Sequence, residues 1–438
     1  MSVRKKNNMP SLKIISLGCS KNTVDSEVIA GNVKAAGWTI LREESPRAAD
    51  VTLINTCGFI LDAKQESIDT VLAEVARKNR RKRGKVYVMG CLVQRYGKEL
   101  EKEIPGVDVW RGVNDLNAVV DAILQAPVEA DATVRKLSTP KHYAYLKVSE
   151  GCNRQCAFCA IPLIRGKQKS RPKEEILKEA RKLAAQGVRE VILVAQDLCN
   201  YGTDLYGRKE IAALVKELCR IEEFHWIRLQ YLYPHAFPAD LLQVMATEPK
   251  VCKYVDIPLQ HIDTAVLQSM LRSTTREQTE SLLAEFRRLL PGAAFRTTLI
   301  TGFPTEGEAE FEELKRFVRD FRFDRLGVFP YSLEEGTPAY GLGDPVPAEK
   351  KESRAQEIMD LQEDISFQLN QEKVGKVYEV LIDREEGEFY VGRTEYDSPE
   401  VDNEVLVRVD SADLQPGGFY QVRITAAEAF DLYGEVLS

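Results

Sequence analysis

The chain has 438 residues, 44% of them hydrophobic and 29% charged, with a formal net charge of -7. These proportions are ordinary for a globular protein of two to four domains. They exclude a chain-wide basic surface that would bind nucleic acid by charge alone, and no apolar run approaches the ~18 residues of a helical membrane span.

The N-terminal "MSVRKKNNMP" has no apolar stretch behind it, so no secretory signal is read and the expected location is the cytoplasm. There are nine cysteines. An odd number in a large chain without a signal points to metal binding, catalysis or packing rather than a disulfide framework.

Residues 11–137 alternate apolar runs with helical periodicity. "LKIISLGC" (12–19), "DVTLINTCGF" (50–59) and "GKVYVMGCL" (84–92) read as strands. "DSEVIAGNVKAAG" (25–37), "AKQESIDTVLAEVARK" (63–78) and a stretch around 94–102 read as helices. This βαβαβ pattern predicts a parallel, doubly wound α/β domain. Cys19, Cys57 and Cys91 each end one of these strands beside a glycine. Loops at the carboxyl ends of neighbouring strands share one crest, where ligands bind, so the three thiols are expected to meet in space.

Residues 138–346 carry six further strands: "YAYLKVSEGC", "REVILVAQD", "WIRLQYLYP", "YVDIPLQH", "RTTLITGFP" and "RLGVFPYS". With helices between them, they predict a partial TIM-like (β/α)6 barrel whose chemistry lies at the carboxyl ends of its strands. Residues 347–375 form one long polar-faced helix, a connector. From 376 to 438 the pattern changes to period two, and about five short strands predict a small OB-like β-barrel. The whole chain is thus α/β and multidomain.

"GCNRQCAFCA" (151–160) places Cys152, Cys156 and Cys159 in a C-x3-C-x2-C spacing. A saturated [4Fe–4S] cube takes four thiolates. Three leave one iron open, as a catalytic metal site keeps a position for substrate. Zinc is disfavoured because no histidine follows at finger spacing.

With Phe158 just before its last cysteine, the motif resembles that of the radical S-adenosylmethionine (SAM) enzymes. "EGCNRQCAFCAIPLIRG" (150–166), preceded by a domain carrying Cys19, Cys57 and Cys91, is similar to the methylthiotransferase family over nearly the whole chain, ending in a TRAM barrel. The resemblance implies two [4Fe–4S] clusters. One, on Cys152, Cys156 and Cys159, binds SAM and cleaves it to a 5′-deoxyadenosyl radical. The other, on Cys19, Cys57 and Cys91, holds the sulfur that is methylated and transferred. It also implies a low-potential electron donor and a sulfur donor. "LITGFPTE" (299–306) is similar to the segment that lines the adenine of SAM, with Ile300 and Gly302 at the matching positions. Gln196 and Asp197 are further candidate SAM contacts, and His261 and Asp197 candidate supporting groups. No acid–base triad is evident, since the cofactors carry the chemistry. Cys199, Cys219 and Cys252 read as packing residues.

Two features bear on the substrate. "ISLGCSKNTVDSE" (15–27), "VILVAQDLCNYGTDLYG" (191–207) and "FPYSLEEGTPAY" (329–340) resemble the branch that adds a β-methylthio group to an aspartate of ribosomal protein S-twelve. The tRNA adenosine methylthiotransferases, the first alternative, have different residues where this chain reads "GCSKN" and "AQDLC". Residues 376–438 also hold five basic and fifteen acidic side chains, a net of -10. Such a barrel repels RNA and steers a basic protein. The run "RKNRRKRGK" (77–85) is a possible ribosomal RNA contact but reads better as a solvated helix end. Arg228, Arg272 and Arg296 are candidates to grip the substrate carboxylate. A non-catalytic iron–sulfur electron carrier is the second alternative.

Overall fold

The computed structural model describes residues 9–410 and 413–437; most of the basic N-terminal stretch lies outside them. Two compact units divide the chain. The first takes the residues up to Thr139 together with Glu150–Asn153 and Ala160–Gln168. The second takes Pro140–Ser149, Arg154–Cys159 and everything from Lys169 onward.

In the first unit, β1 (Ser11–Ser16), β2 (Thr39–Leu41), β3 (Val51–Thr56), β4 (Lys85–Gly90) and β5 (Val109–Arg111) form one sheet in the order β2-β1-β3-β4-β5. All its pairings are parallel. Successive side chains of a strand point to opposite faces. Leu53, Tyr87 and Met89 therefore pack with Leu12, Ile29 and Val120 on one face. Ile54, Val86 and Val88 pack with Ile15 and Val71 on the other. The strands that end in cysteine, β1, β3 and β4, are adjacent. The helix expected around 94–102 runs from Cys91 to Glu103, directly out of β4 with no loop.

The second unit carries β6 (Tyr143–Lys147), the first residue of the two-residue β7 (Ser149–Glu150), and β8 (Lys169–Ser170), then β9 (Glu190–Val194), β10 (Trp226–Leu229), β11 (Tyr254–Asp256), β12 (Ala294–Thr301) and β13 (Arg325–Pro330). Two parallel sheets, β10-β9-β6 and β11-β12-β13, hold the six long strands in chain order. Backbone bonds from Cys252 N–H to Ile227 O at 3.0 Å and from Leu232 N–H to Asp256 O at 2.9 Å join them into one arc. The connector is the helix Ala348–Gln371. After it, β14 (Val377–Glu386), β15 (Phe389–Thr394), β16 (Glu404–Arg408), β17 (Phe419–Ala427) and β18 (Asp431–Val436) close a barrel in the order β14-β15-β16-β18-β17. Val380, Ile382, Val405, Val407, Val422 and Ile424, alternate residues of its strands, fill it.

The seam between this small barrel and the strand arc is built from buried charge. Arg228 Nε donates to Glu190 Oε1 at 2.8 Å, and both side chains are fully enclosed. Arg393 pairs with the same Glu190 and with Asp383. Asp383 also lies 2.7 Å from His142 Nε2. Arg325 donates to Asp397 at 3.1 Å, and Arg296 to Asp402 at 3.2 Å. Buried ions persist only when paired. Two consequences correct the reading of the sequence. Arg228 and Arg296 are spent on this seam, which leaves them unsuited to gripping a substrate. Of the fifteen acids, Glu379, Asp383, Glu395, Asp397, Glu400 and Asp402 bond residues of the strand arc or its connecting loops. The outward face keeps Glu385, Glu386, Glu388, Asp410, Asp413, Glu428 and Glu435 exposed; it is still acidic, but less so than the count suggests.

Candidate active site

The dispersed thiols come first. Cys19 caps the helix Ser20–Ala35 after β1. Cys57 follows β3, and Cys91 opens the helix that leaves β4. Gly18, with φ +87°, lets the chain pass so near Cys57 that a Cβ there would lie 2.8 Å from the Cys57 Cβ. Asn22, fully buried, ties the crest together: its Nδ2 donates to Leu17 O at 2.8 Å and Thr56 O at 3.2 Å.

Arg165 lies almost fully buried beside these thiols. Its Nη2 donates to Asn22 Oδ1 at 2.6 Å and to Cys91 Sγ at 3.6 Å. Its Nη1 donates to Asp25 Oδ2 at 3.1 Å and Glu150 Oε2 at 2.7 Å. Nothing in the sequence reading singled it out. The available signal was an arginine inside the apolar "AIPLIRG", since a charge in an apolar run needs a buried partner.

The thiols feel one another. Burial pushes Cys91 up to about 11, and the neighbouring Cys19 and Cys57 add to this while Arg165 opposes it. Burial raises Cys57 too, against the pull of the Phe59 and Gly58 backbone N–H groups. Burial also works against the Cys19 thiolate, but the charges of Lys21 and Arg165 and backbone N–H groups outweigh it and hold Cys19 below its ordinary value. Among the described residues no three His, Cys, Asp or Glu side chains converge as ligands of a single ion. A cube places each thiolate on a different iron, so three mutually interacting but separated thiols with a cationic donor fit a cluster better than one ion.

The three-cysteine loop follows β6. Cys152 N–H bonds Gly166 O at 3.1 Å, and Cys159 N–H bonds Cys156 O at 3.0 Å. Cys156 is buried, with Arg272 Nη1 3.8 Å and Tyr233 Oη 4.0 Å from its sulfur. The Tyr233 ring has the Arg154 guanidinium 4.0 Å and the Arg272 guanidinium 4.4 Å from its centroid. Donors aimed at a sulfur suit a thiolate ligand. Of the three arginines considered for the substrate carboxylate, only Arg272 stands at this site, and its Nη2 already bonds Pro258 O at 2.6 Å.

Phe158 and Ile300 pack in one cluster with Ala157, Met270, Phe303 and Tyr331. Gly302, at φ +71°, sits where a Cβ would strike Lys351 of the connector helix. Its N–H donates to Glu306 Oε1 at 2.9 Å. Arg354, also on that helix, donates to the same oxygen at 2.8 Å, and Glu306 Oε2 lies 3.3 Å from His261 Nε2. His261 Nδ1 accepts the Asp263 N–H at 3.0 Å. Glu306 and Arg354 therefore brace the Gly302 turn, with His261 packed beside the carboxylate. Asp197, buried, accepts from Arg154 Nε at 2.8 Å, and Gln196 lies beside it in sequence. Cys199 and Cys252 are buried and Cys219 half-buried. Burial raises all three thiols, Cys252 to about 12 and Cys219 to about 11.

Parallel arc, cysteine loop and closed terminal barrel together define a radical SAM methylthiotransferase. Family models agree: the uncharacterized protein family UPF0004 matches residues 11–112, the radical SAM superfamily 146–318 and the TRAM domain 374–437. The chain is 51% identical over 428 residues to the ribosomal protein uS12 methylthiotransferase RimO of Christiangramia forsetii, covering 98% of this chain and 94% of that one. It is 52% identical to the protein of the same name in Flavobacterium psychrophilum, covering 97% of each. The chain belongs to this RimO family, and the tRNA-modifying alternative is not favoured. Among solved structures, the radical SAM methyltransferase TsrM of Kitasatospora setae shares the fold, with a TM-score of 0.55 at 14% identity over 87% of this chain and 79% of that one. No helix among the described residues is long and apolar enough to cross a membrane.

Proposed function

We propose that the chain adds a methylthio group to the β-carbon of an aspartate in ribosomal protein uS12, with SAM and two [4Fe–4S] clusters as cofactors. Cys152, Cys156 and Cys159 hold the SAM-binding cluster. Cys19, Cys57 and Cys91 hold the auxiliary one. When bound, these groups supply the one-electron chemistry and the sulfur that is transferred.

The chain's own residues orient and enclose. Arg272 donates to the Cys156 sulfur, and the Tyr233 hydroxyl lies 4.0 Å from it. Glu306, held by Arg354, fixes the Gly302 turn, which would line the adenine of SAM. Phe158 and Ile300, in their apolar cluster, keep water from that side of the site. The protein's outward acidic barrel complements a basic ribosomal protein, and the cytoplasm, where ribosomes are made, is the matching location. The external partners are a low-potential electron donor and a sulfur donor.

One observation carries the two-cluster reading: three thiols end adjacent strands, and a buried guanidinium donates to one of them, Cys91. The substrate reading rests on the relatives' names. Incubation with isolated uS12 and with tRNA, followed by mass spectrometry, tests it. The expected result is a methylthio gain on one aspartate of uS12; a gain on tRNA with none on the protein would overturn it.

A further inference from the structure

The group the proposed chemistry leaves unexplained is Arg165. It lies six residues beyond Cys159, yet it packs with the dispersed-cysteine domain as part of the same compact unit. Its helix, Ile161–Arg165, contributes Ile164 to a small buried cluster with Cys91, Val113 and Ala160. The two carboxylates on Nη1, Asp25 and Glu150, already balance its charge. Nη2 is shared between a neutral amide oxygen and the Cys91 sulfur. A purely structural anchor needs only the first pair. The second edge is aimed at a ligand atom from inside the protein, where a charge acts at low dielectric.

We propose that Arg165 is a positioning residue of the auxiliary cluster: its guanidinium donates to the Cys91 sulfur and favours the reduced cluster. The proposal rests on the two-cluster reading above. Hydrogen bonds and charge at the cysteine sulfurs are principal determinants of a cluster's potential. One electron from a low-potential donor enters the cluster, no bond forms or breaks, and the added negative charge is met by the adjacent cation. The segment that follows the SAM-binding cysteines thereby sets the electronic state of the other site.

The test uses the full chain with Cys152, Cys156 and Cys159 each changed to Ala, so that only the dispersed thiols remain. This background is reconstituted anaerobically and titrated with dithionite and mediators, reading the reduced cluster by electron paramagnetic resonance. About four irons are expected. Adding Arg165→Gln should leave the iron in place and lower the reduced-to-oxidised ratio at a fixed potential by about tenfold, the equivalent of 59 mV for one electron. Arg165→Lys, which keeps the charge but loses the fork, should recover most of the shift. Asp25→Asn removes an anion from the same guanidinium without changing shape, and should move the midpoint upward; it decides the matter if Arg165→Gln does not hold iron.

An Arg165→Gln midpoint equal to the background with iron retained would overturn the proposal. So would an Asp25→Asn midpoint that is unchanged or lower. A background chain that binds no iron would overturn the two-cluster reading itself, and Arg165's role with it.

Discussion

The three dispersed cysteines are chemically unequal before any iron arrives. In the metal-free protein Cys19 is held below its ordinary thiol value, whereas Cys57 and Cys91 are raised. Alkylation at pH 8, followed by peptide mapping, should label Cys19 first. Cys91, with its value near 11, should lag by roughly a hundredfold or more, because the thiolate is the reacting species. Equal rates at Cys19 and Cys91 would contradict the described crest. Gly18 makes a second residue-scale prediction. With φ +87° and no room beside Cys57, Gly18→Ala should displace Cys57 and cut auxiliary iron, measured per chain, while leaving SAM cleavage intact. The sequence made these cysteines legible because each ends a strand beside a glycine. Arg165, Glu306 and Arg354 were not legible, since each is defined by partners far off in the chain.

Strands rich in Val and Ile could be read from the chain because they are buried on both faces. The three-residue edges β2 and β5 and the helix Leu116–Leu124 could not, being too short to show a period. The acidic composition of the last domain was legible, but its disposition was not. Bonds to arginine, histidine, tyrosine and backbone partners tens to hundreds of residues away turn several acids inward, and composition is blind to that.

This seam gives the prediction at the element scale. Asp397→Asn leaves Arg325 buried without its counter-ion and should cost about 3–5 kcal/mol of stability, read by thermal unfolding. Acid should act on the same pairs. Burial opposes ionisation of Asp383 and Asp397, but Arg393 with His142, and Arg325 with Lys373, hold both carboxyls below their ordinary values. A lowered carboxyl stabilises the fold above the unfolded value of about 4 and loses that contribution as pH falls through the folded value. The melting temperature should therefore be flat from pH 8 to about 5 and fall below about 4, with a shallower fall in Asp397→Asn.

For the whole molecule, the proposed function requires one chain to carry two incomplete thiolate sets, one for cleaving SAM and one for delivering sulfur. The relatives' full-length match places the chain in the family. The proposed function divides its six cysteines between these two roles.

Iron analysis paired with product analysis tests that division most directly. The intact chain, reconstituted anaerobically, should hold about eight irons, cleave SAM under reductant and methylthiolate uS12. The variant with Cys19, Cys57 and Cys91 changed to Ala should hold about four, still cleave SAM and transfer no sulfur. A variant that loses no iron, or that still delivers a methylthio group, would contradict the account.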